Sequence, residues 1–343
     1  MLVSRRSVLW GAGAAAATAM LPGTGVVAAA SRDPGVEVLA DLSYAPRVGN
    51  AHRLDLYLPA GGGGPWPVVL WSRGSAWESD DGNTGGERVA RALSGRGYAV
   101  AAVAVRSSEQ ARFPAQVHDG KAAVRWVRAH AGEFGLDAQR LAFMGSSSGG
   151  WLAAMVGATA GVTALEGSVG ETGRSSAVDA VVDLFGPSDF GLLTRQMPEG
   201  ACPDYNRAEG LSGCHDDPGS PESRLLGTPV GSDPQRVARA DPGRYVSAGG
   251  PRWLLMHGTG DRTVPVGQSE VLHEALTRVG ADSTFYRLQT RAHDDAFLDE
   301  TAGHTGRQVL SSSAGGSREV QAGPATWSAV ADFLDRALPA RLG

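Results

Sequence analysis

From about residue 36 the chain alternates short apolar runs with longer amphipathic stretches. The runs PVVLWSR, YAVAAVAVR, RLAFMGS, AVDAVVDLFG and RWLLMHG are almost continuously apolar, which predicts strands covered on both faces in a mostly parallel sheet. Parallel neighbours need crossovers. ERVARALSGRG, FPAQVHDGKAAVRWVRAHAGEFG, SSGGWLAAMVGATAG and VGQSEVLHEALTRVG have the period and length of helices that supply them. VEVLADLSYA and RLDLYLP read as an opening antiparallel hairpin, and STFYRLQT followed by TWSAVADFLDRAL as a last strand and a closing helix. The pattern predicts a single α/β domain over residues 31–343, a doubly covered, mostly parallel sheet with an antiparallel N-terminal hairpin and without internal repeats. A Pro-, Gly-, Asp- and Arg-rich stretch at about 190–243 interrupts the alternation between two strands, where a cap-like insertion over a ligand crevice is expected.

With 343 residues, 42% of them hydrophobic and 20% charged, the chain buries a large core and is not disordered. The net charge of −5, with no concentrated basic run, excludes a phosphate-tracking surface, so no nucleic-acid partner is expected. Residues 1–30 have the layout of an export signal. Arg5 and Arg6 precede an Ala-rich stretch that ends in Ala28-Ala29-Ala30, which predicts a twin-arginine-type signal peptide and a secreted or periplasmic product. Gly and Pro interrupt that stretch and Ala dominates it, so no stable membrane span is expected there or later. The two cysteines, Cys202 and Cys214, share the insertion, and in an exported chain a disulfide between them is expected to staple it.

The chemistry concentrates at strand ends. Gly145-Ser146-Ser147-Ser148-Gly149 is a G-x-S-x-G between a predicted strand and a predicted helix, the context in which the central serine is held on a sharp turn with its hydroxyl exposed. Ser147 is therefore the candidate nucleophile, and the amide of Ser148, at the start of the following helix, is a candidate oxyanion donor. A serine hydroxyl needs an imidazole to take its proton and a carboxylate to orient that imidazole. In the chain order expected of such a fold, Asp261 in the loop after RWLLMHG is the acid and His293 in the loop after STFYRLQT is the base. Asp183 and Asp189 are reserve acids. The second oxyanion donor is expected in Ser72-Arg73-Gly74-Ser75-Ala76-Trp77, from the amide of Ser75 or Ala76. Trp77 and Trp151 are candidate walls of the substrate pocket, with simple packing as the other reading of each.

Taken together, PVVLWSRGSAW, the long stretch through LAFMGSSSGGWLAA, DLFGPSDF, SPESRLLG and HGTGDRTVPVGQSEVLHEAL resemble the α/β-hydrolase superfamily, in its bacterial feruloyl-esterase-like and acetyl-esterase/lipase-like branch. The resemblance runs from about Val36 to Leu338. It implies the α/β-hydrolase fold, a serine esterase acting through an acyl-enzyme, Ser147, Asp261 and His293 as the triad, and no metal or cofactor. Its substrate would be a small-molecule or polysaccharide-linked ester. A short-peptide peptidase on the same fold, or a noncatalytic binding protein with a degenerate oxyanion loop, are the alternatives. Two features depart from the family pattern. Relatives usually read His-Gly-Gly before Ala-Trp, whereas this chain has Arg73-Gly74-Ser75, and an arginine offers donors but no acceptor. The stretch TAGHTGRQVLSSSAGGSREVQAGP after His293 is also long and Gly/Ser-rich, and reads as a loop that screens the site or moves freely.

Overall fold

A computed structural model of the chain describes residues 31–33, 35–290, 292–300 and 306–340. The expected export signal, residues 1–30, lies outside them. The strands are β1 (Ser31–Asp33), β2 (Val36–Val48), β3 (Ala51–Pro59), β4 (Trp66–Ser72), β5 (Ala99–Ala104), β6 (Leu136–Ser146), β7 (Ala180–Leu184), β8 (Arg252–Gly258), β9 (Ser283–Leu288), β10 (Arg307–Ser313) and β11 (Gly316–Glu319). They form one sheet in the order β1-β2-β3-β5-β4-β6-β7-β8-β9-β10-β11. The six strands from β5 to β9 in that order run parallel, and antiparallel strands extend both edges.

The near-continuous apolar runs are explained by alternation between two cores. Along β4, Val68 and Leu70 face one core while Val69 and Trp71 face the other, and β6 and β8 repeat the pattern with Leu141 and Phe143 against Ala142 and Met144, and Trp253 and Leu255 against Leu254 and Met256. Because side chains alternate with period two, a strand with both faces buried is apolar at every position. The helices Ala115–Ala129, Ser148–Ala158 and Gly267–Val279 cover the first face. The helices Gly86–Ser94 and Trp327–Ala337 cover the second. Among the described residues, no helix is long and apolar enough to cross a membrane.

The Gly/Ser-rich stretch after His293 is not a plain loop. Arg307–Ser313 and Gly316–Glu319 form a hairpin that adds β10 and β11 to the sheet edge, with Val309 opposite Tyr286 and Leu310 opposite Phe285. Its serines alternate too weakly to signal a strand in isolation; pairing with β9 fixes the register. The segment 190–243 carries short helices, Leu193–Gln196, Ala201–Glu209, Pro221–Leu226 and Pro234–Arg239. Phe190, Leu193, Leu225, Leu226, Val230 and Val237 attach it to the first core. Cys202 and Cys214 form a disulfide with their Cα atoms 5.4 Å apart.

Candidate active site

Four strands deliver the site at their carboxyl ends, where loops of a parallel sheet gather on either side of a reversal in strand order. β6 ends at Ser146, the helix begins at Ser148, and Ser147 between them takes φ 53° and ψ −125°. A positive φ is costly for a residue with a Cβ, and here the surrounding turn enforces it. The turn closes because Gly145 and Gly149 have no side chains: a Cβ on Gly145 would run into the carbonyl of Gly149, and one on Gly149 into the carbonyl of Ser72. The Ser147 amide donates to Leu184 O at 2.9 Å, which ties the turn to β7.

His293 stands beyond β9 and is half-buried, with Nε2 2.9 Å from Ser147 Oγ and Nδ1 2.7 Å from Asp261 Oδ2. Asp261 follows β8. Its Oδ1 accepts the amides of Thr263 at 2.8 Å and Val264 at 3.1 Å, so the carboxylate is fixed before the imidazole reaches it. Burial raises the Asp261 carboxyl, but its contacts with His257 and His293 outweigh this and hold it down at about 2. His257 stands 3.5 Å from Asp261 Oδ2, while its Nε2 donates to Val264 O at 2.9 Å, a carbonyl that only accepts. The Val264 bond is the better formed. His257 therefore braces the Asp261 loop, with Ser269 Oγ on its Nδ1 at 2.8 Å.

The reserve acids sit elsewhere. Asp183, fully buried on β7, accepts the Gly186 amide at 2.8 Å through Oδ1, and among the described residues its Oδ2 has no partner. Burial pushes its carboxyl up to about 6. Asp189 caps a short 3-10 turn by accepting the Gly191 amide.

The loop after β4 runs alongside the Ser147 turn. The Gly74 amide approaches Ser146 Oγ at 3.3 Å, and the Ser75 amide donates to Ser148 Oγ at 2.9 Å. Ala76 (φ 50°) and Trp77 (φ 58°) carry the loop round in the left-handed region, and among the described residues the Ala76 amide has no hydrogen-bond partner. Of the two expected loop donors, Ala76 is thus the uncommitted one and Ser75 is engaged by a side chain.

A cavity of about 520 Å³ opens in front of Ser147 and His293, with Trp71, Arg73, Ala76, Thr84, Phe185 and Asp294 among its walls. Trp77 and Trp151 do not line it, which corrects the expectation for both. Trp77 is 5% exposed and Trp151 fully buried; their rings meet edge-on at 5.3 Å, both pack on Phe190, and Trp151 Nε1 donates to Ala240 O at 2.8 Å. They are the core beneath the site. The sequence pointed to them because they follow the loop and turn motifs closely, but the left-handed turn at Trp77 and the buried helix Ser148–Ala158 that carries Trp151 place both rings in the first core. Phe185 is the aromatic residue that sequence reasoning missed. It lies one residue past β7 with φ 47°, its ring 4.8 Å from that of His293. In DLFG it reads as the last residue of a strand, and only the following glycine hints at a bend.

This arrangement can be set beside known proteins. The chain is 28% identical over 236 residues to Esterase LipC of Mycobacterium tuberculosis, covering 68% of this chain and 54% of LipC. It is also 28% identical over 262 residues to the probable isoprenylcysteine alpha-carbonyl methylesterase ICMEL1 of Arabidopsis thaliana, covering 73% of this chain and 50% of that protein. The chain thus spans about half the length of these curated relatives. Among solved structures it resembles a truncated carbohydrate esterase from gut microbiota at 30% identity and a TM-score of 0.66, covering 74% of this chain and 88% of that one. It resembles the propionate-bound esterase Est2 of Thermogutta terrifontis at 25% identity and a TM-score of 0.56, covering 79% and 88%. These likenesses confirm the α/β-hydrolase fold. The BD-FAE family model matches residues 54–276, from β3 through the Ser147 turn and the Asp261 loop into the helix Gly267–Val279, and the chain belongs to that family.

Proposed function

We propose that this protein is a carboxylic ester hydrolase that works through an acyl-enzyme on Ser147. The observation that carries the reading is the unbroken relay from Ser147 Oγ to His293 Nε2 at 2.9 Å and from His293 Nδ1 to Asp261 Oδ2 at 2.7 Å. Ser147 Oγ attacks the ester carbonyl carbon as its proton passes to His293 Nε2. The imidazolium is stabilised by Asp261, which stays a carboxylate throughout. Negative charge forming on the carbonyl oxygen meets the Ser148 and Ala76 amides, and the Ser75 amide when it leaves Ser148 Oγ. Collapse breaks the bond to the alcohol oxygen, which takes the proton from His293. Water, deprotonated by the same imidazole, then attacks the acyl carbon, and the acid leaves as Ser147 recovers its proton.

The likeness to an esterase with propionate bound and to a carbohydrate esterase favours small or polysaccharide-linked esters as substrates. A cavity of this size accommodates a short acyl chain or a single sugar. Export is part of the same reading: the twin-arginine layout of residues 1–30 and a disulfide in the insertion both suit an oxidising compartment, with residues 31–343 acting there as one domain. The test is hydrolysis of p-nitrophenyl acetate and acetylated xylan by the purified protein and by Ser147→Ala, with cell fractionation for location. Turnover that survives the substitution excludes Ser147 as nucleophile.

A further inference from the structure

Arg73 is placed to do more than hold its loop. It directly follows β4, and together with Trp71 it lines the cavity in front of Ser147. Its Nε donates to the neighbouring Gly74 carbonyl at 3.1 Å, and its amide donates to Gly82 O at 2.8 Å. These contacts fix the stem. Among the described residues the terminal nitrogens, Nη1 and Nη2, have no hydrogen-bond partner. A half-buried guanidinium with both terminal donors unspent is suited to receive a carboxylate as a two-pronged pair.

The other charged side chains on the cavity wall make contacts of their own, although Asp294 keeps its charge. Arg88 is bound to Asp295 at 2.6 Å and to Asp299 at 2.9 Å, and its guanidinium lies over the Trp327 ring. Asp294 Oδ1 accepts the Ala296 amide at 3.0 Å. Among the described residues, Arg73 is therefore the cation on this wall whose terminal nitrogens are left for a ligand.

We propose that Arg73 sets substrate choice by binding a carboxylate carried on the ester, so that esters bearing an anionic group are preferred to neutral esters of the same shape. This rests on the esterase reading for its kinetic consequence, but not for binding. In the full-length Ser147→Ala protein, calorimetry is run with p-acetoxybenzoate and with its neutral methyl ester. The expected result is tighter binding of the anion, weakened about tenfold or more by Arg73→Gln, partly restored by Arg73→Lys, and weakened by salt. Equal affinity for the two compounds, or a preference unmoved by Arg73→Gln, overturns the proposal even if the protein hydrolyses no ester.

Kinetics supply the second arm. The same pair, together with p-nitrophenyl hexanoate and the p-nitrophenyl half-ester of adipate, reads the anion on either side of the scissile bond. The kcat/KM quotient of anionic to neutral ester should fall about tenfold in Arg73→Gln for at least one pair, mainly through KM, and rise in Asp294→Asn as a repelling charge is removed. Equal losses on both members of both pairs would mean that Arg73 only supports the loop, and would sink the proposal. Loss of all hydrolysis in wild type, with anion binding intact, would instead reject the esterase reading.

Discussion

The amide of Ser75 donates to the hydroxyl of Ser148 at 2.9 Å, and this single bond ties the loop after β4 to the first residue of the helix behind the candidate nucleophile. It also occupies one of the donors that an oxyanion would use. A developing negative charge outcompetes a neutral hydroxyl, but the existing bond must break first.

Ser148→Ala should therefore release that donor while keeping the Ser148 backbone amide in place. A neutral hydrogen bond contributes about 0.5–1.5 kcal/mol net, which corresponds to roughly two- to tenfold in rate. The expected outcome is a kcat on p-nitrophenyl acetate higher by that factor, with the melting temperature lowered by a few degrees. A drop in kcat would show that the hydroxyl instead holds the loop in its working position.

Asp261 makes a second prediction in two observables. Its contacts hold its carboxyl down at about 2 in the fold against an ordinary 3.8, so its stabilising effect is complete from about pH 5 upward and is lost as pH falls through 2. Asp261→Asn should lower stability at pH 7 by roughly 1–3 kcal/mol in urea titrations. It should also reduce kcat about a thousandfold or more, because an amide leaves His293 in the wrong tautomer. An unchanged kcat would remove Asp261 from the relay.

Asp183 is the opposite case. Its buried carboxyl is raised to about 6, so between pH 3.8 and 6 the folded state holds a proton that the unfolded state has released, and stability falls as pH rises. At pH 7 the cost is roughly 1–3 kcal/mol. Asp183→Asn should flatten the pH dependence of the urea midpoint between pH 4 and pH 7 and leave the protein more stable than wild type at the upper end. A midpoint in the variant that tracks wild type across that range would show that the charge is already compensated.

Reducing the bridge between Cys202 and Cys214, or replacing both by alanine, should cost about 3 kcal/mol, as the loss of a crosslink spanning 12 positions releases chain entropy in the unfolded state. The loss should show as a lower melting temperature under reductant. Neither cysteine lines the cavity, so kcat should change little. A large fall in kcat would mean that the insertion shapes the site from a distance.

Much of this protein can be read from its residues in order. The apolar runs locate the central strands because a strand buried on both faces has no polar position to hide, and G-x-S-x-G between a strand and a helix marks Ser147 because nothing but glycine fits beside the turn. The loops after β8 and β9 offer Asp261 and His293 by chain order alone. β10 and β11 were not legible, since a stretch of serines and glycines becomes a hairpin only when β9 presents its edge.

What the chain alone determines is local: which segments are strands or helices, and which residue types stand at the turns between them. Tertiary structure decided the rest, because direction and distance are properties of the packed sheet. It turned Trp77 and Trp151 into the core, brought Phe185 against His293, gave the Ser75 amide to Ser148, and, among the described residues, left the ends of Arg73 without a partner near Ser147.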